Sequence, residues 1–439
     1  MFDLQKFIFC ADHGIEADRE GFAKYTHNFE EVILWGAGSL GRAVATALFK
    51  NNCKVTRIWD IKADLVEPLY NLPIEQPMAK EYDRERTLII FCIGNVLTRA
   101  NIQNGLKEND YFHVIDGVTV RQALWCPLAI NKKFDGSVCA VNEICAACGC
   151  SRLDNLVKKM KSGRDLDDTI FYSSLHFLVN TKCNLKCKYC YEYLQSYPKN
   201  LKYNVPYDSI SRDIDITFNA IDAIATVFIV GGETFLHPDI GKIAKKILAK
   251  ENFGLLVIPT NGLAIMDKKS LEGLQDSRVR LAFSNYLGQL TPEQEDRMQR
   301  NFETAVSMGI NAHLQNSLPS WNIPGTFEYK NSPELAVHER SICPYICNWV
   351  YDGKMFICSF SITMHNLFNL SKDDYINLLE TTNISRLRSE IIHLQKKSYI
   401  PSCQHCDWNT PRLTDRAGEQ GFDSRYSLEN YQDLLRHSN

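Results

Sequence analysis

The 439-residue sequence predicts an α/β protein in three folded parts: a small parallel-sheet domain, a larger strand–helix domain curled into part of a barrel, and a cysteine-rich C-terminal module. Three observations carry this. Apolar runs of strand length alternate with amphipathic helical runs in two separate stretches. Most of the sixteen cysteines fall in short dense windows. The balance of 45% apolar and 23% charged residues, with a net charge of -3, is that of an ordinary globular chain long enough for several cores.

That balance leaves no basic field for nucleic acid, and no apolar stretch approaches the roughly 18 residues of a membrane helix. The expected location is therefore cytoplasmic, without a nucleic-acid or membrane partner. A reducing compartment disfavours structural disulfides, so clustered cysteines point to metal or redox chemistry. Cys10, Cys53, Cys92, Cys126 and Cys347 stand apart and read as buried core thiols.

Residues 1–125 form the first domain. EEVILW, VTRIWD, RTLIIFCIG and FHVIDG read as strands, and SLGRAVATALFKN reads as the first crossover helix. Gly36, Gly38 and Gly41 make GAGSLG between a strand and a helix, and Asp60 ends the next strand. That is dinucleotide-binding context, with phosphate at a helix N-terminus and an acid for a ribose hydroxyl. The domain resembles the small Rossmann-like domains attached to enzymes of polysaccharide and nucleotide-sugar pathways, which implies a nucleotide or nucleotide-sugar ligand or a structural or oligomerisation role, with NAD redox chemistry the remaining alternative.

Residues 126–168 are a connector. Cys139, Cys145, Cys148 and Cys150 are dense enough to bind a metal, as zinc or a cluster, although packing explains them equally well.

Residues 169–335 alternate again, through SSLHFLV, ATVFIVGG, FGLLVIPTNG, VRLAFSN and INAHLQN, with helices at HPDIGKIAKKILAK and TPEQEDRMQRNFETAVSMG. Cys183, Cys187 and Cys190 follow the first of these strands as CNLKCKYC, at the strand end where parallel α/β folds place their chemistry. Three thiolates in one loop suit a cubane whose fourth iron keeps an open site, whereas structural zinc takes four protein ligands.

TKCNLKCKYC, with Tyr189 before the third cysteine, resembles the CxxxCxxC signature of the radical S-adenosylmethionine superfamily, and IVGGETFLHPD resembles its GGE motif despite Thr234 where many relatives have proline. The resemblance implies a partial (β/α)6 TIM-type barrel, a 4Fe-4S cluster on the three cysteines and S-adenosylmethionine as cofactor. It places Gly231, Gly232 and Glu233 at the methionine amino group and the Tyr189 main chain at the adenine. Asn261, in Thr260-Asn261-Gly262, and Ser284, in Ser284-Asn285-Tyr286, fall where the family contacts ribose, carboxylate or substrate. The implied chemistry is electron transfer into the sulfonium, release of methionine, and hydrogen abstraction by a 5′-deoxyadenosyl radical. A reductant such as flavodoxin or ferredoxin is implied with it.

Residues 336–439 form the last module. Cys343 and Cys358 bracket Gly353, and Cys403 and Cys406 stand as CQHC. This resembles the auxiliary-cluster module called twitch, a short relative of SPASM, which implies a second 4Fe-4S cluster and is favoured by the central motif over the zinc ribbon that the same two pairs could make. The expected function is a radical S-adenosylmethionine oxidoreductase or epimerase acting on a carbohydrate or nucleotide-sugar-like small molecule. The alternatives are a maturase of a ribosomally made peptide and a non-catalytic iron–sulfur redox sensor.

Overall fold

The computed structural model of the chain describes residues 2–125 and 170–436, apart from 13–16, 66–69, 79–80, 94–101, 103–104, 107–109, 277, 285, 287, 316–320, 322, 344–347, 370–371, 381–382, 408–413 and 415–416. Cys126, the connector with Cys139, Cys145, Cys148 and Cys150, Asn285 and Cys347 lie outside the described residues. The chain divides into two compact units, Met1–Ser173 and Ser174–Asn439.

In the first unit, two helices that the sequence reading did not anticipate, Leu4–Asp12 and Arg19–Thr26, precede the sheet. Phe7 and Phe22 stack between them with ring centroids 4.4 Å apart, and Asp18 caps the second helix through the Gly21 amide. The sheet contains β1 (Glu31–Trp35), β2 (Arg57–Trp59), β3 (Ile74–Glu75), β4 (Thr87–Phe91) and β5 (Val114–Asp116) in the order β3-β2-β1-β4-β5, every neighbour parallel. All five residues of β4 are buried, as expected of a parallel strand covered on both faces. The order reverses beside β1, which puts the glycine loop that follows β1 at a topological switch point.

In the second unit an eight-stranded sheet runs β10-β9-β8-β7-β6-β11-β12-β13. β6 (Phe171–Leu178), β7 (Ala223–Val230), β8 (Phe253–Thr260), β9 (Val279–Phe283) and β10 (Ala312–Leu314) are the five expected strands of the central segment. β7 through β10 pair in parallel. The helix Pro292–Ser307 between β9 and β10 starts on a complete capping box, Thr291 with Gln294, and has proline in its first turn. The helix Tyr207–Ala220 before β7 was not expected. Phe177 of β6 meets Phe218 of that helix, and Phe283 of β9 meets Phe302 of Pro292–Ser307, so one face of the sheet is packed by helices.

The C-terminal part extends the same sheet. β11 (Asn348–Tyr351) lies parallel to β6, and β12 (Lys354–Phe356) and β13 (Tyr375–Asn377) follow antiparallel. The β11–β12 turn is Asp352-Gly353, both at positive φ (44° and 77°), the two-residue geometry that Asp-Gly accommodates best. The buried Asp213 carboxylate accepts the Gly353 amide at 2.8 Å and anchors that turn. Tyr189, Tyr193 and Tyr197 from the cysteine loop share one aromatic core with Phe327, Phe360, Phe368, Tyr426 and Tyr431. Among the described residues, no helix is long and apolar enough to cross a membrane.

Candidate functional site

The loop after β6 carries Cys183, Cys187 and Cys190, all free and half-buried. Burial pushes the Cys183 and Cys190 thiols up to about 12 and raises Cys187 as well. These are thiols that ionise only when a cation is brought to them. Each lies within electrostatic reach of another, and the ring of Tyr286 is within reach of all three. Among the described residues no three His, Cys, Asp or Glu side chains stand close enough to hold one metal ion. A cubane binds its cysteines on separate irons. The donor set of three half-buried cysteines on one loop fits such a cluster.

The loop is held on three sides. On the first, Asn180 in its stem donates to the Glu233 carbonyl at 2.9 Å and accepts from the Gly232 amide at 3.1 Å, while the Glu233 amide donates to the Lys182 carbonyl at 2.7 Å. A Cβ on Gly231 would stand 2.5 Å from Asn180 Oδ1, and one on Gly232 would stand 2.2 Å from the Lys182 carbonyl. The two glycines therefore let the turn after β7 press against the stem of the cysteine loop.

Glu233, only 1% exposed, ties in the next strand end. Its Oε1 accepts from the Phe235 amide at 3.0 Å and the Thr260 hydroxyl at 2.6 Å, and its Oε2 accepts from the Asn261 amide at 2.7 Å. Burial raises its pKa despite these donors. Asn261 in turn donates through Nδ2 to Asn184 inside the cysteine loop at 2.7 Å and accepts from Leu263 N at 2.9 Å. The Ser284 amide donates to the Thr260 carbonyl, and the Ser284 side chain hydrogen-bonds Tyr286. The structure thus brings Gly231, Gly232, Glu233, Asn261 and Ser284 to the same rim as the cysteines.

The third support was not read from the sequence. Residues 418–421 run antiparallel to the loop: Lys188 N donates to Glu419 O, Gly421 N donates to Lys186 O, and Lys186 N donates to Gln420 Oε1. Gln420 Nε2 stands 3.3 Å from Cys187 Sγ and donates to it. Lys188 pairs with Glu419 at 3.1 Å and lies over the Tyr189 ring. Inside the loop, Gln195 donates to the Cys187 carbonyl.

Cys343 ends the helix Pro333–Ile342, Cys358 begins the helix Ser359–Phe368, and Cys403 and Cys406 sit at the turn Pro401–His405. Cys403 lies within electrostatic reach of both Cys343 and Cys358. Burial pushes Cys358 up to about 12. Asn331 Nδ2 donates to the Cys403 and Cys406 carbonyls at 2.8 and 2.7 Å, which fixes that turn. Glu192, its carboxyl pushed up to about 7 by burial, hydrogen-bonds Ser359 and so joins the cysteine loop to the residue after Cys358.

In the first unit, Gly36 adopts φ +114°, and a Cβ on Gly41 would stand 1.8 Å from the Gly36 carbonyl. Gly38 has open space where a Cβ would point. Asp60 Oδ2 accepts the Ala37 amide at 2.8 Å and Oδ1 accepts the Lys62 amide, so the acid braces the glycine loop itself.

Residues 177–309 match the family model described as the Radical SAM superfamily, and this segment is a radical SAM domain. The match runs from the last two residues of β6 to just past the helix before β10, and the family implies a 4Fe-4S cluster and S-adenosylmethionine. Among curated proteins, the Bacillus subtilis antilisterial bacteriocin subtilosin biosynthesis protein AlbA is 32% identical over 120 residues, 27% of this chain and 25% of that protein. GTP 3',8-cyclase 1 of Mycobacterium tuberculosis is 33% identical over 146 residues, 31% of this chain and 38% of the cyclase. The chain therefore spans a quarter to about two-fifths of the curated relatives it matches. Among solved structures, Streptococcus suis SuiB gives a TM-score of 0.28 at 19% identity, covering 44% of this chain and 41% of SuiB. AnSMEcpe with bound AdoMet gives 0.35 at 13% identity, covering 60% of this chain and 96% of that one.

Proposed function

We propose that the chain reductively cleaves S-adenosylmethionine at a cluster on Cys183, Cys187 and Cys190 and uses the resulting radical to abstract a hydrogen from a substrate. The observation that carries the reading is the clamping of the loop of three half-buried cysteines against the Gly231–Gly232–Glu233 turn, inside the segment that matches the family. When bound, the cluster supplies one electron to the sulfonium. The chain's own residues do the rest. The three thiols hold the iron, Asn180 and Glu233 fix the turn facing it, and the buried strand ends keep water away.

In this reading the Gly231–Gly232 backbone and the Glu233-braced turn receive the methionine amino group, the Tyr189 main chain meets the adenine, and Asn261 and Ser284 face the ribose and carboxylate. Cys343, Cys358, Cys403 and Cys406 hold the auxiliary cluster of a twitch-like module at 336–439. Residues 1–125 act as a Rossmann-like domain. The substrate we propose is a peptide, since one matched relative bears the name of a bacteriocin biosynthesis protein, although another is named a GTP cyclase. Nothing in the comparisons supports a carbohydrate, the class implied by the Rossmann-like resemblance of residues 1–125 together with the cysteine motifs.

The test is anaerobic reconstitution of the full chain with iron and sulfide, reduction with dithionite, and chromatography for 5′-deoxyadenosine. The wild type forms it from S-adenosylmethionine, and Cys187→Ala does not. A reconstituted, reduced wild type that forms none overturns the proposal.

A further inference from the structure

We propose that Arg280, Asn311 and His313 form an anion-binding site on the inner face of the second unit's sheet, one that takes a monoanionic oxygen group, a carboxylate or a phosphodiester, of a small ligand. Side chains alternate between the two faces of a strand. Phe177 and Phe283 point at helices, so their neighbours in sequence point the other way. The register then places Trp349 beside His176, and Phe228 beside Val257 beside Arg280, in one row. Leu281 pairs with Ala312, which sets Asn311 next to Arg280. His176 fills one half of the row, stacked at 4.4 Å on both Phe228 and Trp349.

The other half is polar and unpaired. Arg280 is 1% exposed, and neither its Nε nor its Nη1 has a hydrogen-bond partner among the described residues. The same holds for both amide atoms of Asn311, 5% exposed, and for Nδ1 of His313, 4% exposed. Buried polar atoms almost always find partners, and leaving donors of a buried cation unpaired is costly. Among the described residues, the buried carboxylates of this unit are engaged elsewhere: Glu233 with Thr260 and Asn261, Asp213 with Gly353, Asp374 with Ser402.

No described residue supplies a partner for these atoms, and we assign that place to a ligand. Two guanidinium N–H groups and an amide N–H are donors that suit anionic oxygen, and Asn311 Oδ1 remains to accept from a hydroxyl or amine on the same ligand. His313 is neutral, since burial and the Arg280 charge hold it down at about 4. The net charge of the site is then +1, which one monoanionic group neutralises.

The test is thermal unfolding of the anaerobically purified full chain, without S-adenosylmethionine or reductant, so that its outcome is independent of the cleavage assay. Sodium acetate and sodium dimethyl phosphate each replace sodium chloride at constant ionic strength. The expected result is a saturable rise in Tm with one of the two anions, which also decides between carboxylate and phosphodiester. Arg280→Met loses that rise and melts at or above the wild type in chloride, because the uncompensated charge is gone. No saturable rise with either anion, or the same rise in Arg280→Met, overturns the proposal. Should Arg280→Met fail to fold, Asn311→Leu decides: an apparent affinity at least tenfold weaker supports the site, and an unchanged affinity overturns it.

Discussion

Glu233→Gln tests whether this carboxylate acts first as a brace between strand ends. Three donors converge on it, the Phe235 amide, the Thr260 hydroxyl and the Asn261 amide. The best orientation of a glutamine keeps its carbonyl toward Phe235 and Thr260 and turns its NH2 toward the Asn261 amide. One hydrogen bond to a charged acceptor is lost, about 1.5–3 kcal/mol, and a buried N–H is left facing another donor, about 1–3 kcal/mol. Against this, the variant no longer holds a charge that burial disfavours, as the raised pKa of Glu233 records. The balance is a loss of about 2–4 kcal/mol, or roughly 5–10 °C in Tm for a unit of this size. The assay is differential scanning calorimetry of the full chain without S-adenosylmethionine, following the transition of the second unit. A residue that served only to bind the cofactor would leave that transition unmoved. Glu233→Gln melting within about 1 °C of wild type refutes the reasoning, and Glu233→Ala is expected to fall further than Gln.

Other residues give independent checks. His176 is held neutral by burial, its pKa depressed to about 3 from 6.5, so the stability it contributes is present above pH 6.5 and lost as pH falls toward 3. At pH 5 its cost is ~2 kcal/mol, and His176→Phe, which keeps the ring stack, is expected to raise Tm at pH 5 and leave it nearly unchanged at pH 7.5; equal shifts at both values count against this. Gln420→Leu removes the N–H···S bond to Cys187. In the reconstituted protein this is expected to move the cluster potential about 20–60 mV more negative, the one-electron equivalent of one ordinary hydrogen bond, and a redox titration followed by electron paramagnetic resonance that shows no shift refutes it. Gly41→Ala drives a methyl into the Gly36 carbonyl and should cost the first unit several kcal/mol, with the second transition unmoved; a folded first unit of wild-type Tm would contradict the loop geometry.

What the sequence made legible and what it did not divide along a physical line. Periodicity and turn chemistry act over a few residues, so EEVILW, RTLIIF, ATVFIV and VRLAF could be read as strands, and the three cysteines and the GGE turn could be read as one rim. The partners that satisfy buried polar groups act across the whole chain. Gln420 meets a cysteine 233 positions away, Asn331 fixes a turn 72 residues on, and nothing local to QGFD or KNSP announces either contact. The same distinction explains Glu233 and Asp60. Each looks from its motif like a free acid awaiting a ligand, but in the fold each accepts backbone amides that only the neighbouring strand end or glycine loop could supply. Arg280 is the converse case, an arginine in VRLAF to which no motif draws attention. β8 and β10 flank it on both sides and it is buried, and its unpaired donors become visible only when its neighbours' hydrogen bonds are followed to their ends. Motifs thus locate where chemistry stands, and the account of buried donors and acceptors decides which motif residues are already engaged by the protein and which remain for a ligand.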